Sequence, residues 1–265
     1  MAMKRLKTAY AGAIIERALY DAPTGREGPK ERAQKSKASS EAQRRMNLKN
    51  ACHQFELRIA LNFPTAGSAR FYTLTYDEAH LPRQQDPKDC RKQVLRDKDS
   101  FLRAVRGERQ KAGKAAPRAA WCIEVLTAEG GRWHLHVLLD STGDDDETVR
   151  RCWKRGSVDV EPLRVDQEKN HETLARYMTK EMRELQDRAS RPGQHVWGFT
   201  RNCLKVEYDS VLVPEDYRLD VPEGCEVLAD RSERTEFASW HFQKLRVGAA
   251  AFPKPPRAKR RRRRA

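Results

Sequence analysis

The stretch Gly131-Arg132-Trp133-His134-Leu135-His136-Val137-Leu138-Leu139-Asp140 alternates polar and apolar residues with a period of two, and so reads as a β-strand. Residues i and i+2 of a strand share a face. His134 and His136 therefore project from one side, and Trp133, Leu135, Val137 and Leu139 from the other. The apolar set is a core face. The histidine set is a pair of imidazoles able to bind a metal, although a half-buried strand whose polar face happens to carry two histidines gives the same pattern. Its neighbours decide between the two readings.

Ala119 to Leu126 reads as a second strand, joined to the first through Thr127-Ala128-Glu129-Gly130-Gly131. A short loop with two glycines favours an antiparallel hairpin. Glu124 shares a face with Cys122 and Leu126, and its place opposite His134 or His136 puts a carboxylate beside the imidazoles. Phe71-Tyr72-Thr73-Leu74-Thr75-Tyr76-Asp77 is dense in aromatic and β-branched residues and reads as a central strand. A long charged helix follows over about Asp89 to Lys111. Asp144-Asp145-Asp146-Glu147 opens the next helix, where the macrodipole favours acids, so a solvated first turn explains this run better than a metal site. A further helix around His171 to Gln186 carries Leu174, Met178, Met182 and Leu185 on one stripe. Tyr177 and Lys180 sit together at its polar edge, where an amphipathic tyrosine with a wet hydroxyl is the ordinary case.

The 265 residues carry a formal charge of +15 and a pI near 9.7, a balance that points to a polyanionic partner such as nucleic acid. No apolar run approaches the roughly 18–20 residues that span a bilayer, and Met1 to Tyr10 lacks the apolar core of a signal peptide. No membrane role is expected. Six scattered cysteines without a C-x-x-C pair argue against a structural zinc and for a reducing cytosol. Residues 1–40 read as basic and mostly flexible, with room for a short helix around Ala11 to Tyr20. The main domain spans 41–210 and opens with a basic helix bearing Arg44, Arg45, Lys49 and Arg58, which ends near Asn62-Phe63-Pro64. Residues 211–256 form an extension of unassigned structure. Residues 257–265, with Arg260, Arg261 and Arg262, form a disordered cationic tail.

Taken together, these elements resemble the HUH endonucleases, and within them the rolling-circle replication initiators of small plasmids and single-stranded DNA phages. Phe71-Tyr72-Thr73-Leu74-Thr75-Tyr76 looks like the first motif of that family. His134-Leu135-His136 matches the His-hydrophobic-His motif, with Glu124 where many members carry a third metal ligand. Tyr177-Met178-Thr179-Lys180 matches the Tyr-x-x-Lys motif, here with one tyrosine. Histidines before tyrosine is the order of initiators. Leu57 to Phe63 and Trp153-Lys154-Arg155-Gly156-Ser157-Val158 look like the filamentous-phage type. The resemblance covers about residues 45 to 205.

It implies an α+β fold of the ferredoxin or RNA-recognition type, a central antiparallel sheet with helices packed on one face and the metal on the open face. It also implies Mg²⁺ or Mn²⁺ held by His134, His136 and Glu124, with Tyr177 as nucleophile and Lys180 as its cationic helper. The product would be a covalent 5′-phosphotyrosine and a 3′-hydroxyl extended by host polymerase. Origin DNA and a host helicase would be partners, and the bacterial cytoplasm the setting. Arg44, Arg45, Lys49, Arg58 and the Arg260–Arg262 tail would hold the DNA backbone, with Tyr72 and Tyr76 stacking bases. A single-tyrosine transposase with the same motifs, and a basic nucleic-acid-binding module with structural histidines, are the competing expectations.

Overall fold

The computed structural model describes residues 3–22, 41–83, 86–126, 132–142, 146–164, 171–179, 197–235 and 238–248. The chain divides into two compact units, one of Lys30–Val206 and one of Met1–Pro29 with Glu207–Ala265.

In the two-terminus unit, strands β1 (Met3–Ala11) and β2 (Ile14–Asp21) form a hairpin. Its two-residue loop places Gly12 at φ 65°, the left-handed geometry that the primed hairpin turns require at this position. The other unit opens with helix α1 (Glu41–Asn62), strand β3 (Ala69–Thr75) and helix α2 (Pro87–Lys111). Asp86 caps α2 by accepting from the Lys88 N–H, and Pro87 stands in the first turn, where its missing N–H costs nothing. Strands β4 (Ala119–Leu126) and β5 (Arg132–Asp140) follow, then helix α3 (Asp146–Cys152), strand β6 (Val158–Pro162), helix α4 (Glu172–Met178) and strand β7 (Trp197–Phe199). The chain then returns to the two-terminus unit as β8 (Glu207–Pro214), β9 (Cys225–Arg234) and β10 (Ser239–Val247).

The sheet of the Lys30–Val206 unit has the order β6-β3-β5-β4-β7, every neighbour antiparallel. Strand β5 lies between β3 and β4, so β3-α2-β4-β5-α3-β6 is the split β-α-β arrangement of ferredoxin-like folds, with β7 added at one edge. The expected α+β class and antiparallel sheet are what the structure shows. The helices divide between the faces. Val94, Phe101 and Val105 of α2 and Val149 of α3 pack on Leu74, Ile123, Leu135 and Val137. Phe55 and Ile59 of α1 and Ala175 and Met178 of α4 pack on Ala120, Cys122 and Leu138. The helix pair inside the ferredoxin-like order thus keeps to one face, while α1 and α4 partly close the histidine face.

Trp153 and Gly156 tie the start of β6 to the end of β3. The Trp153 indole donates to the Thr75 carbonyl (3.1 Å), and the Asp77 N–H donates to the Arg155 carbonyl (2.8 Å). Gly156 has φ 147°, and a Cβ there would lie 2.1 Å from the Thr75 oxygen, so only glycine fits this approach.

The sheet of the two-terminus unit has the order β8-β1-β2-β10-β9 and is antiparallel throughout. Two expectations are corrected here. Ala11 to Tyr20 is a turn and strand rather than a short helix, and residues 3–22 are paired strands rather than a flexible arm. Ile14, Ile15 and Leu19 are buried there, and β1 gains its ladder from β8, some two hundred residues away. Residues 225–247 of the unassigned extension are strands of the same sheet. Residues 23–40 and the Arg-rich tail lie outside the described residues.

Candidate active site

Strand register assembles the site. Glu124 pairs opposite His134, and Cys122 opposite His136. On the other side of β5, Thr75 pairs opposite His134 and Thr73 opposite His136. All six side chains therefore stand on one face, since directly opposed residues share a face. The His136 Nε2 lies 2.7 Å from Glu124 Oε2, with both groups buried. The Thr73 hydroxyl lies 3.1 Å from His136 Nδ1, and the Thr75 hydroxyl 3.2 Å from His134 Nδ1. A partner on the far nitrogen fixes a histidine's ring orientation and tautomer, as the supporting groups of metal-binding histidines do. Thr73 and Thr75 were not picked out from sequence, because threonine is an ordinary strand residue. Their signal was the shared parity, visible once β3 is set beside β5.

Helix α4 brings Tyr177 to the same place. Ala175 and Met178 anchor the helix in the core, and Tyr177 stands at its rim, 45% exposed. Its hydroxyl lies 3.5 Å from His136 Nε2, at the outer limit of a hydrogen bond. The ring meets His136 edge-on at 5.4 Å, and Phe71 stacks on His136 at 5.3 Å. Loss of solvent around the hydroxyl pushes the Tyr177 pKa up to about 12, and the neighbouring Glu124 carboxylate adds to the rise. As it stands, the pocket favours the neutral phenol.

The four central expectations, His134, His136, Glu124 and Tyr177, thus come from β5, β4 and α4 to one patch. Lys180 and Arg260, Arg261 and Arg262 lie outside the described residues. Arg44, Arg45 and Lys49 are exposed on the first half of α1, where a basic surface suits phosphate contact. Arg58 differs from them. Its guanidinium stacks 4.0 Å over the Phe199 ring, and burial lowers its pKa. Tyr72 and Tyr76 are corrected. Each is 1% exposed in the core on the opposite face, with Tyr72 donating to Asp146 (2.6 Å) and Tyr76 to Asp97 (3.0 Å), so neither presents a ring to a base.

Among the described residues, no three His, Cys, Asp or Glu side chains stand as a ready metal cluster. The donor chemistry nevertheless fits a divalent cation. Two imidazoles with hydroxyl-supported Nδ1 atoms and one carboxylate share a face, and one proton now bridges His136 and Glu124 where a cation with nitrogen and oxygen ligands would replace it.

Residues 69–182 match a family model of replication-associated proteins, the ORF2 type. The match starts at β3 and runs past α4, so it takes in Thr73, Glu124, His134, His136 and Tyr177. It supports a role in DNA replication. No curated protein and no solved structure matches the chain. No helix among the described residues is long and apolar enough to cross a membrane.

Proposed function

We propose that this protein initiates rolling-circle replication by nicking and rejoining single-stranded origin DNA through Tyr177. The observation that carries the reading is the approach of the Tyr177 hydroxyl to within 3.5 Å of His136 Nε2, itself 2.7 Å from Glu124, inside the stretch that matches replication-associated proteins. The phenol oxygen attacks the scissile phosphorus, the bond from phosphorus to the 3′-oxygen breaks, and the 3′-oxygen leaves as a hydroxyl that a polymerase extends. The 5′-phosphate stays on Tyr177. Attack by that or another 3′-hydroxyl reverses the step without a nucleotide cofactor.

His134, His136 and Glu124 would hold Mg²⁺ or Mn²⁺, which would supply Lewis-acid polarisation of a phosphate oxygen. The chain's own residues do the rest. Thr73 and Thr75 fix the imidazoles, Phe71 and His136 flank the Tyr177 ring, and Lys180 supplies positive charge to the phenolate and the transition state. A cation in place of the bridging proton offsets the Glu124 charge that now disfavours the phenolate. Arg44, Arg45 and Lys49 hold the DNA backbone.

The test is a denaturing gel of labelled single-stranded origin DNA incubated with protein and Mn²⁺. The parent protein should form a covalent adduct and Tyr177→Phe none, a loss of more than about 10³-fold. Binding without an adduct under any divalent metal would leave a binding module in place of the nickase.

A further inference from the structure

The two-terminus unit lies outside the family match, and its sheet presents two unlike faces. On one, Ile15, Arg17, Leu19, Gln243 and Leu245 are buried. Arg17 there donates to the Asp220 carbonyl (2.7 Å), and Leu219 beside it in the β8–β9 connection is buried. The opposite face is different.

Strand register lays that opposite face out in rows. One row crosses the sheet as Leu212, Arg5, Tyr20, Trp240 and Glu233. The next is Ser210, Lys7, Ala18, Phe242 and Arg231. Three rings and three cations thus stand side by side on four strands, spaced about 4.8 Å between strands. Trp240 is 41% exposed, Lys7 and Arg231 are exposed, and Arg5, Tyr20 and Phe242 are half-buried. The Trp240 indole N–H donates to Glu233 (3.1 Å), which holds the ring at a fixed tilt, and the Lys7 ammonium lies 5.4 Å from the Tyr20 centroid. In the following rows Lys244 meets Glu16 at 4.0 Å and Arg246 meets Glu226 at 2.8 Å, so those charges cancel. Surplus positive charge is confined to the rows that carry the rings.

We infer that this sheet face is a sequence-tolerant binding site for single-stranded DNA, with Tyr20, Trp240 and Phe242 stacking bases and Arg5, Lys7 and Arg231 meeting phosphates. Rings interleaved with cations on an open sheet suit unpaired bases, whose π-faces are available. A duplex keeps its bases stacked inside and offers such rings nothing. The choice of DNA over RNA rests on the replication reading above; the stacking does not. The site serves to hold strand displaced or about to be cut, away from Tyr177.

The test is fluorescence anisotropy of a labelled dT oligomer with the full chain in chelator, so that neither metal nor cleavage contributes. Tyr20→Ala with Trp240→Ala should weaken binding about tenfold or more, and Trp240→Phe should restore most of its share. Lys7→Gln changes an exposed residue that folding does not need, and should flatten the dependence of log K on log salt by about 0.7. His136→Ala should bind dT as the parent does, so failure of the nicking reading leaves this result standing. Unchanged dT affinity in the folded ring variants, an unchanged salt slope in Lys7→Gln, or a duplex of equal length bound as tightly as dT overturns the site. Tighter binding of an oligomer of uridine than of dT overturns its assignment to DNA.

Discussion

The molecule builds two five-stranded antiparallel sheets and treats them in opposite ways. In the Lys30–Val206 unit, helices lie on both faces, and the central strand β5 is buried along most of its length. In the two-terminus unit, no described residue is helical, and β8 and β9 are mostly exposed. A sheet enclosed on both faces holds side chains in one geometry, which a set of imidazole, carboxylate and phenol groups requires. A sheet open on one face tolerates many geometries, which suits contact with a polymer of varying sequence.

The difference has a measurable size. Leu135 is fully buried between β5 neighbours and α2, and Leu135→Ala should lower stability by about 3 kcal/mol through lost burial and a residual cavity. Leu212, 53% exposed on β8, has no such cavity to leave, and Leu212→Ala should stay within about 0.5 kcal/mol of the parent. Urea unfolding of both variants checks the pair. Comparable losses would break the comparison, since they would mean that the open face is covered in solution.

Legibility followed the same division. β3, β4 and β5 could be read because each strand alternates, and because a glycine loop fixes the β4–β5 parity that puts Glu124 beside the histidines. Met3-Lys4-Arg5-Leu6-Lys7-Thr8-Ala9-Tyr10 resembles a mobile basic arm because its charges fall on both faces. Its partner β8 is supplied by non-local pairing that no local spacing reveals. Tyr72 and Tyr76 were misassigned for a related reason. They follow the even-numbered parity of β3, which is core, whereas Phe71, Thr73 and Thr75 belong to the site. Only the β3–β5 register separates the two sets, and β3 is joined to β5 through a helix and a strand rather than a turn.

Within the enclosed sheet, the threonine supports should be the next largest effect. Thr73→Val keeps the shape and the β propensity but removes the hydroxyl 3.1 Å from His136 Nδ1. Loss of such a supporting hydrogen bond weakens metal binding about 10–100-fold. The expected outcome is a Mn²⁺ titration of nicking shifted to higher concentration, with much of the activity recovered at saturating metal. A fall in rate at every metal concentration, with the midpoint unmoved, would assign Thr73 a different role.

The smallest effect is electrostatic, and it tests the enclosed site against ordinary solvent. Tyr177 holds its proton to about pH 12, first because solvent is displaced from its hydroxyl and then because Glu124 lies beside it. An unfolded chain releases that proton near pH 10, so the unfolded state binds fewer protons between these values, and stability falls as pH rises through that window. Glu124→Gln removes the charge but not the burial. The Tyr177 pKa should therefore move down yet stay above the ordinary tyrosine value, as read from the ultraviolet titration difference between each protein and its Tyr177→Phe counterpart. A pKa unmoved by Glu124→Gln would show that the carboxylate and the phenol do not meet. A pKa that rises on adding Mn²⁺ to the parent would remove the cation from the neighbourhood of the nucleophile, because a nearby dication stabilises the phenolate and lowers the value.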